Sequence, residues 1–340
     1  MAKIKESGSD CSPLGWSGGS APTADRNNET EHPGVNLQLS GVFSVLPTPF
    51  SSTGEVDIDS LRRVIDLFLG AGINGVTALG VTGEVARLNE RERAMVLEAV
   101  LGQVNGRVPV IAGTTADGLK TCLDYTRKAR AAGAAAVMVS PPRMAKLNSD
   151  AVVAHFAALA SAVDTEIVVQ DYPPLSGFTM EASLLARIAR EVPPARTIKL
   201  EDPPTPLKTS RILEQCGRTN LSILGGLGGV YLFEELLAGA HGVMTGFAYP
   251  EMLVEVTRLF SAGQVDRAAE SFYRYVPLMR FEFQEGIGMA IRKEVLRRRG
   301  ALACADIRPP GARLDLSTRT ALDRLLNWMR TNQGIPWISV

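Results

Sequence analysis

The sequence contains few residues that bind transition metals through sulfur or imidazole. There are four cysteines and three histidines among 340 residues. The cysteines are scattered along the chain, and no two of them have the C-x-x-C spacing of a zinc site. These residues are Cys11, Cys122, Cys216 and Cys304, with His32, His155 and His241. We therefore expect no metal site in this protein.

The sequence also has no net charge and no long apolar run. Lys and Arg together number 36, as do Asp and Glu, so the formal charge at pH 7 is zero. A chain without excess positive charge is a poor candidate for binding nucleic acid or an anionic membrane. No apolar run approaches the ~20 residues that span a bilayer, and the polar N-terminus lacks the apolar stretch of a signal peptide. We expect a soluble, cytoplasmic protein.

The chain divides into three parts by composition. Residues 1–39 are rich in Ser, Gly, Asn, Asp and Glu and show no apolar periodicity, which predicts a disordered extension. From Gly41 onwards, short apolar runs alternate with longer amphipathic ones. The 45% content of hydrophobic residues is enough for one large core. We assign residues 40–248 to a barrel domain and residues 249–340 to C-terminal helices packed on it.

A degenerate repeat defines the secondary structure of the barrel. AGINGVTALG, AAGAAAVMVS and LAGAHGVMTG each read as a helix that ends at glycine and is followed by a short apolar strand. The runs show little polar alternation, which is typical of strands buried on both faces in a parallel sheet. The predicted strands are Val42–Leu46, Val76–Leu79, Val108–Ala112, Ala136–Val139, Ile167–Gln170, Thr197–Lys199, Ser222–Leu224 and Gly242–Thr245.

Eight strands with intervening helices predict a closed (β/α)8 TIM barrel, a fold that needs about 250 residues. A doubly wound open sheet is the alternative, because alternation of strands and helices does not by itself show closure. The absence of G-x-G-x-x-G after the first strand weakens that alternative.

Capping residues mark two of the predicted helices. Asn89 and Glu92 have the spacing of a capping box, and Asp57 precedes an apolar pattern that begins at Ile58. Three further segments after the eighth strand have helical periodicity, namely 252–260, 265–279 and 281–299. These segments form the predicted C-terminal appendage.

Polar residues at the carboxyl ends of barrel strands indicate an active site. Four segments qualify: 47–50 (PTPF), 80–84 (GVTGE), 170–174 (QDYPP) and 199–202 (KLED). Lys199 ends the sixth strand, where its amine lies at the mouth of a largely apolar barrel. Loss of hydration there favours the neutral amine, which is the form that attacks a carbonyl carbon.

These segments resemble the family of dihydrodipicolinate synthase and N-acetylneuraminate lyase, the pyruvate-dependent class I aldolases. The resemblance extends from about Leu39 to Arg299. It implies that Lys199 forms a Schiff base and that Val81 and Thr82 hold the carboxylate of a 2-oxo acid. It also implies a substrate-binding role for Gly225 and Gly226, and a homo-oligomer, dimer or tetramer.

The sequence departs from the family pattern at the residues that move protons. Val81 replaces a hydroxyl-bearing residue of the usual Gly-Thr-Thr-Gly-Glu loop. Gln170 stands where the family has its catalytic tyrosine, and a glutamine side chain does not carry protons. Tyr172, two residues further along the same strand face, is our candidate for a displaced phenol. Arg143, after the fourth strand, is a candidate clamp for an anionic substrate.

The resemblance leads to one preferred function and two alternatives. The preferred function is a lyase that makes or breaks a carbon–carbon bond through a Schiff base with pyruvate or a related 2-oxo acid, without metal or organic cofactor. A hydro-lyase acting on a 2-oxo-3-deoxy sugar acid is the first alternative, because the same iminium can expel hydroxide. A non-catalytic barrel that binds a 2-oxo acid is the second.

The composition of the N-terminal segment leads to a test of the domain assignment. Removing Met1 to about Leu39 should leave the melting temperature almost unchanged, because this segment lacks the apolar residues needed to dock on a barrel. Differential scanning calorimetry of the full and shortened chains makes the comparison. A decrease of many degrees would show that the segment is packed against the folded domain.

Overall fold

The eight strands form one closed parallel barrel, as predicted. The computed structural model describes residues 39–216, 221–335 and 338. Each strand pairs in parallel with the next along the chain, and the eighth pairs with the first. The strands are β1 Gly41–Val45, β2 Gly75–Ala78, β3 Val110–Gly113, β4 Ala136–Val139, β5 Glu166–Asp171, β6 Thr197–Leu200, β7 Ser222–Gly225 and β8 Gly242–Thr245.

The observed strands agree with the predicted ones to within two residues. The largest difference is at the start of β3, which begins at Val110 and not at Val108. Pro109 intervenes and has no N–H to donate to the sheet. Its carbonyl group nevertheless accepts a hydrogen bond from the Val76 N–H at 3.1 Å, so the chain is already aligned with β2 before the strand begins.

Helices surround the barrel and join its strands. The helices are α1 Ile58–Gly70, α2 Glu90–Val104, α3 Leu119–Ala132, α4 Ser149–Ala162, α5 Pro173–Ser176, α6 Ala182–Glu191, α7 Thr205–Cys216, α8 Leu232–Leu237, α9 Pro250–Ser261, α10 Val265–Glu282, α11 Gly288–Arg298 and α12 Leu316–Asn332. Both predicted caps are present. The Asp57 carboxylate accepts from the Ser60 N–H, and Asn89 and Glu92 form a reciprocal capping box.

Two groups of apolar side chains fill the fold. The larger group lies between the strands and the surrounding helices. The smaller one fills the barrel and consists of Leu39, Phe43, Val45, Ile111, Ala136, Met138, Val168, Leu224 and Met244. Because strand residues alternate in direction, Gln170 points into the barrel, as Val168 does two residues earlier. Lys199 is the partner of Gln170 in the β5–β6 register, so both side chains reach the same end of the interior.

The C-terminal region differs from the prediction in three respects. Helix α9 packs beside β1 and completes the ring of barrel helices, so the added helices begin with α10. The predicted helix over 281–299 is present only from Gly288 to Arg298, because its first residues belong to α10 and the chain turns at Gly286, which has a φ of +77°, before α11 begins. Helix α12 was not predicted.

The predicted extension lies outside the described residues except for Leu39. The Leu39 side chain is only 2% exposed and belongs to the group that fills the barrel. The folded domain therefore includes Leu39, and a deletion that tests the extension should end at residue 38. Within the described ranges, no helix combines the length and the apolar character needed to cross a bilayer.

Candidate active site

Four polar side chains, each in contact with the next, lie at the carboxyl end of the barrel. The Lys199 Nζ lies 3.0 Å from Glu201 Oε2. The same carboxylate oxygen accepts a hydrogen bond from Gln170 Nε2 at 2.8 Å. Gln170 Oε1 in turn lies 3.2 Å from the hydroxyl of Ser140, at the end of β4. Three neighbouring strand ends thus converge on the lysine amine.

The Glu201 carboxylate reaches Lys199 because Gly226 leaves room for it. A Cβ atom on Gly226 would lie 2.3 Å from Glu201 Cγ, which no real contact allows. The lysine is 5% exposed, so its amine has little contact with water. Because a buried polar group needs a partner, the contact with the Glu201 carboxylate compensates the Lys199 amine for its loss of water.

Gly225 gives space to a second carboxyl group, that of Glu235 from α8. A Cβ atom on Gly225 would lie 1.7 Å from Glu235 Oε2. Burial raises the pKa of Glu235 to about 8, against the hydrogen bond from the Thr205 hydroxyl, and Glu201 raises it further. At neutral pH this side chain is therefore mainly the uncharged acid. The sequence predicted substrate binding at Gly225 and Gly226, and the structure gives both glycines a steric role beside carboxyl groups.

A second buried lysine joins the segments that follow β5 and β6. The Lys208 Nζ contacts Asp171 Oδ2 at 2.6 Å and Asp202 Oδ2 at 2.8 Å. Burial raises the pKa of Asp171 to about 6 even though Lys208 opposes this shift. Asp171 directly follows Gln170, and Asp202 directly follows Glu201. By binding both aspartates, Lys208 holds Gln170 and Glu201 in contact with each other beside Lys199.

Tyr172 lies at the edge of this cluster. It is half-buried, and it precedes the short helix α5, where its carbonyl group accepts from the Leu175 N–H. Burial raises the pKa of the Tyr172 phenol, and the negative charges of Glu201 and Glu285 raise it further. Among the described residues, none forms a hydrogen bond with this phenol. It is therefore free to interact with a bound molecule.

The predicted carboxylate loop forms a tight turn after β2. Residues Val81–Gly83 make one turn of 3-10 helix, and the Thr48 hydroxyl donates to the Gly83 carbonyl group at 2.6 Å. The Val81 side chain is 39% exposed. The Thr82 hydroxyl is buried and has no hydrogen-bond partner in the described part of the chain. This turn therefore presents an unpaired hydroxyl beside its first N–H groups.

Among the described residues, Arg143 forms no hydrogen bond or ion pair with the cluster around Lys199. Its side chain is exposed, and its backbone N–H donates to the Asp117 carboxylate at 3.0 Å. Its Cγ lies 4.0 Å from the position of a Cβ on Gly177, beyond α5. The arginine therefore lies over the segment that follows β5, at the rim.

Several residues of this site were not predicted from the sequence as site residues. Ser140, Lys208 and Glu235 were not predicted, although Ser140 directly follows the end of β4, and a strand end is the signal used for Lys199. Lys208 and Glu235 lie within helices, and only the folded structure shows that they reach the strand ends. Glu201 was recognised as part of a polar segment but not as the partner of Lys199.

The closed parallel barrel is the architecture of the class I aldolase-type lyases, and the comparisons assign the chain to one family of them. The model of the dihydrodipicolinate synthetase family matches residues 38–329. The chain belongs to this family, and it is a lyase of the Schiff-base-forming type.

Individual relatives agree with this assignment. An L-2-keto-3-deoxyarabonate dehydratase from Azospirillum brasilense is 30% identical over 285 residues, or 83% of this chain and 92% of the relative. A 4-hydroxy-tetrahydrodipicolinate synthase from Nitratidesulfovibrio vulgaris strain DP4 is 32% identical over 251 residues, or 73% and 85% of the two chains. The crystal structure of dihydrodipicolinate synthase from Rhodopseudomonas palustris superposes with a TM-score of 0.80 at 35% identity, covering 85% of this chain and 97% of the other.

The buried acid Glu235 should make stability depend on pH. Its pKa is raised to about 8 in the folded protein from the usual 4.5, so the native state binds more protons than the unfolded state between these values. The free energy of unfolding therefore falls as pH rises through this range. Glu235→Gln removes this dependence, and we expect the variant to gain at least about 1 kcal/mol relative to the wild type between pH 5 and pH 8.

Urea denaturation at the two pH values measures the difference. Glu214→Gln, at an exposed position of α7, controls for the loss of one negative charge. A stability difference between Glu235→Gln and the wild type that is independent of pH would show that Glu235 is ionised in the native state.

Proposed function

We propose that Lys199 forms the Schiff base and that the substrate is pyruvate or a related 2-oxo acid. One observation carries this assignment: a buried amine at the carboxyl end of β6 lies in contact with a carboxylate, that of Glu201, at 3.0 Å. A purely structural lysine would not need a position at the mouth of the barrel, where a substrate enters.

The proposed reaction begins with a proton transfer from the Lys199 ammonium to Glu201. The lone pair of the free amine then forms a bond to carbon 2 of the 2-oxo acid. The former carbonyl oxygen takes one proton from the attacking nitrogen and the other from the protonated Glu201, and it leaves as water so that an iminium remains. This positive group accepts the electron pair of the neighbouring carbon when a bond to that carbon breaks, so the reaction requires no further electron sink.

The turn after β2 is the proposed site for the substrate carboxylate. The first N–H groups of a helical turn have no partner within it, and those of Val81 and Thr82 are in this position. The buried Thr82 hydroxyl supplies a third donor. Replacement of a hydroxyl-bearing residue by Val81 leaves both N–H groups in place, so carboxylate binding does not depend on that side chain.

Two groups are proposed to move protons in place of the family's tyrosine. Glu201 contacts Lys199 directly and serves the amine and the imine. Gln170 holds the Glu201 carboxylate through its amide N–H and so acts as an anchor. Tyr172, whose phenol has no hydrogen bond to the described residues, serves the substrate side of the reaction.

Carbon–carbon bond formation or cleavage is the proposed reaction, and dehydration is the second candidate. The relative from Azospirillum brasilense is named as a dehydratase of L-2-keto-3-deoxyarabonate. The same iminium expels hydroxide from the neighbouring carbons of such a sugar acid. A non-catalytic binding barrel is less consistent with the site, since binding alone requires a cation but not an amine paired with a proton acceptor.

We further propose that the enzyme is a cytoplasmic homo-oligomer. The described cysteines, Cys122, Cys216 and Cys304, are free thiols, which is the state expected in a reducing compartment. Leu207 and Leu237 lie on the neighbouring helices α7 and α8 and are 48% and 58% exposed. Exposed apolar side chains of this kind support a contact with a second copy. The proposed rim residue Arg143 remains available for a substrate with a second anionic group.

Reductive trapping tests the Schiff base. Incubation with pyruvate and borohydride should add one reduced pyruvate to the chain, and peptide mapping should place it on Lys199. Lys208 and Lys293 are also buried near the site, so mapping must distinguish Lys199 from both. The assignment to Lys199 would be wrong if the label mapped to another lysine or persisted in Lys199→Ala, and the absence of any label would favour the non-catalytic alternative.

The two proposed proton carriers should have separable effects. We expect Glu201→Gln to slow imine trapping, because the amine loses its proton acceptor. Tyr172→Phe should leave trapping in place and lower by roughly a hundredfold the rate at which the methyl protons of pyruvate exchange in D2O, since that step needs a proton carrier on the substrate side. Proton NMR measures the exchange. Normal exchange by Tyr172→Phe would remove the phenol from the mechanism and leave Glu201 as the carrier.

A further inference from the structure

A lysine outside the barrel strands reaches the loop that follows β2. Lys293 lies on α11, and its side chain is fully buried at 0% exposure. Its Nζ forms an ion pair with the Glu84 carboxylate and donates to the Asp306 carbonyl group at 3.1 Å. The same ammonium lies 4.5 Å from the centre of the Phe50 ring, which is within the range of a cation–π contact.

Glu84 transmits this contact to the turn proposed to hold the substrate carboxylate. It ends the turn Val81–Gly83, and its N–H donates to the Val81 carbonyl group. Its φ of +55° lies in the left-handed region, which is uncommon for residues other than glycine. Such a conformation persists when the surroundings hold it. The ion pairs from Lys293 and from Arg87, at 2.9 Å, supply that constraint.

Lys293 also contacts the segment that follows β1. Phe50 is the last residue of the 47–50 segment, and its ring contacts two cations, Lys293 and Arg308. The Thr48 hydroxyl of the same segment donates to the Gly83 carbonyl group. The Lys293 ammonium therefore contacts both the segment 47–50 and the segment 80–84, which contains the proposed carboxylate turn.

Stability alone does not explain a lysine at this position. Removing an ammonium from water is costly, and well-packed apolar residues often replace a buried ion pair without loss of stability. What the ion pair provides is a fixed position for the Glu84 carboxylate, and hence for the turn that this residue ends.

We infer that Lys293 is a positioning residue that orients the Val81–Gly83 turn for binding of the substrate carboxylate. This inference rests on the proposed function of the site. It assigns a role in substrate recognition to a helix that follows the barrel, and it predicts a specific defect in carboxylate recognition when the lysine is replaced.

The experiment compares pyruvate with pyruvamide, which has the same carbonyl group but no carboxylate. The concentration of each compound that gives half-maximal borohydride trapping is measured by intact mass. In the wild type, pyruvate should trap at the lower concentration. In Lys293→Met, the half-trapping concentration of pyruvate should rise roughly tenfold while that of pyruvamide changes little, because small displacements of binding groups have effects of this size.

Two further variants complete the design. Arg299→Met removes a cation that contacts Glu251 and Ala248, away from the turn. In this variant, the half-trapping concentration of pyruvamide divided by that of pyruvate should stay as in the wild type. Glu84→Gln keeps a hydrogen-bonding group of the same size but removes the ion pair with Lys293, so it should reduce the ratio of the pyruvamide to the pyruvate half-trapping concentration. This variant replaces Lys293→Met in the test if Lys293→Met does not fold.

The outcomes separate this inference from the function on which it rests. If the wild type does not trap pyruvate at all, the proposed function fails. If the wild type traps pyruvate but the variants at Lys293 and Glu84 keep the wild-type ratio, or weaken trapping of both compounds equally, the lysine has only a structural role and the inference is overturned.

Discussion

The site depends on the contact between the Lys199 amine and the Glu201 carboxylate. An amine at the mouth of an apolar barrel has lost most of its hydration, and a charged group in that position requires a partner. The carboxylate provides one, and in the proposed mechanism it also accepts the proton that leaves before the nitrogen attacks carbon. The surrounding groups serve this pair: Gln170 holds the carboxylate from β5, and Lys208 fixes the segments on either side.

Space for these carboxyl groups comes from glycine. Gly225 and Gly226, at the end of β7, have no side chains, so Glu235 packs against the backbone of Gly225 and Glu201 packs against that of Gly226. One of them is kept mainly uncharged by burial, so two acids stand close together without full repulsion between them. Any side chain at either glycine would displace a carboxyl group and with it the hydrogen bonds of the cluster.

The fold was largely predictable from the sequence, whereas only part of the site was. Parallel strands buried on both faces leave an unambiguous apolar pattern, and caps such as Asp57 and Asn89 are local signals, so elements and boundaries followed from neighbouring residues. Lys199 was found because it ends a strand. Glu235 and Lys293 lie in helices whose patterns predict packing only, and their role arises from contacts between residues far apart in sequence. The break between α10 and α11 was predicted near Arg280 but lies several residues later, between Glu282 and Gly288.

The ties between the C-terminal helices and the early loops have a consequence for how the enzyme becomes active during synthesis. Phe50 and Glu84 are made early, but Lys293 and Arg308, which hold them, are among the last fifth of the residues to leave the ribosome. All eight strands and Lys199 are complete well before that point. A nascent barrel therefore carries the proposed reactive amine before the proposed carboxylate turn is held in place, and the synthesis of Lys293 and Arg308, rather than the closure of the barrel, determines when the site is fully formed.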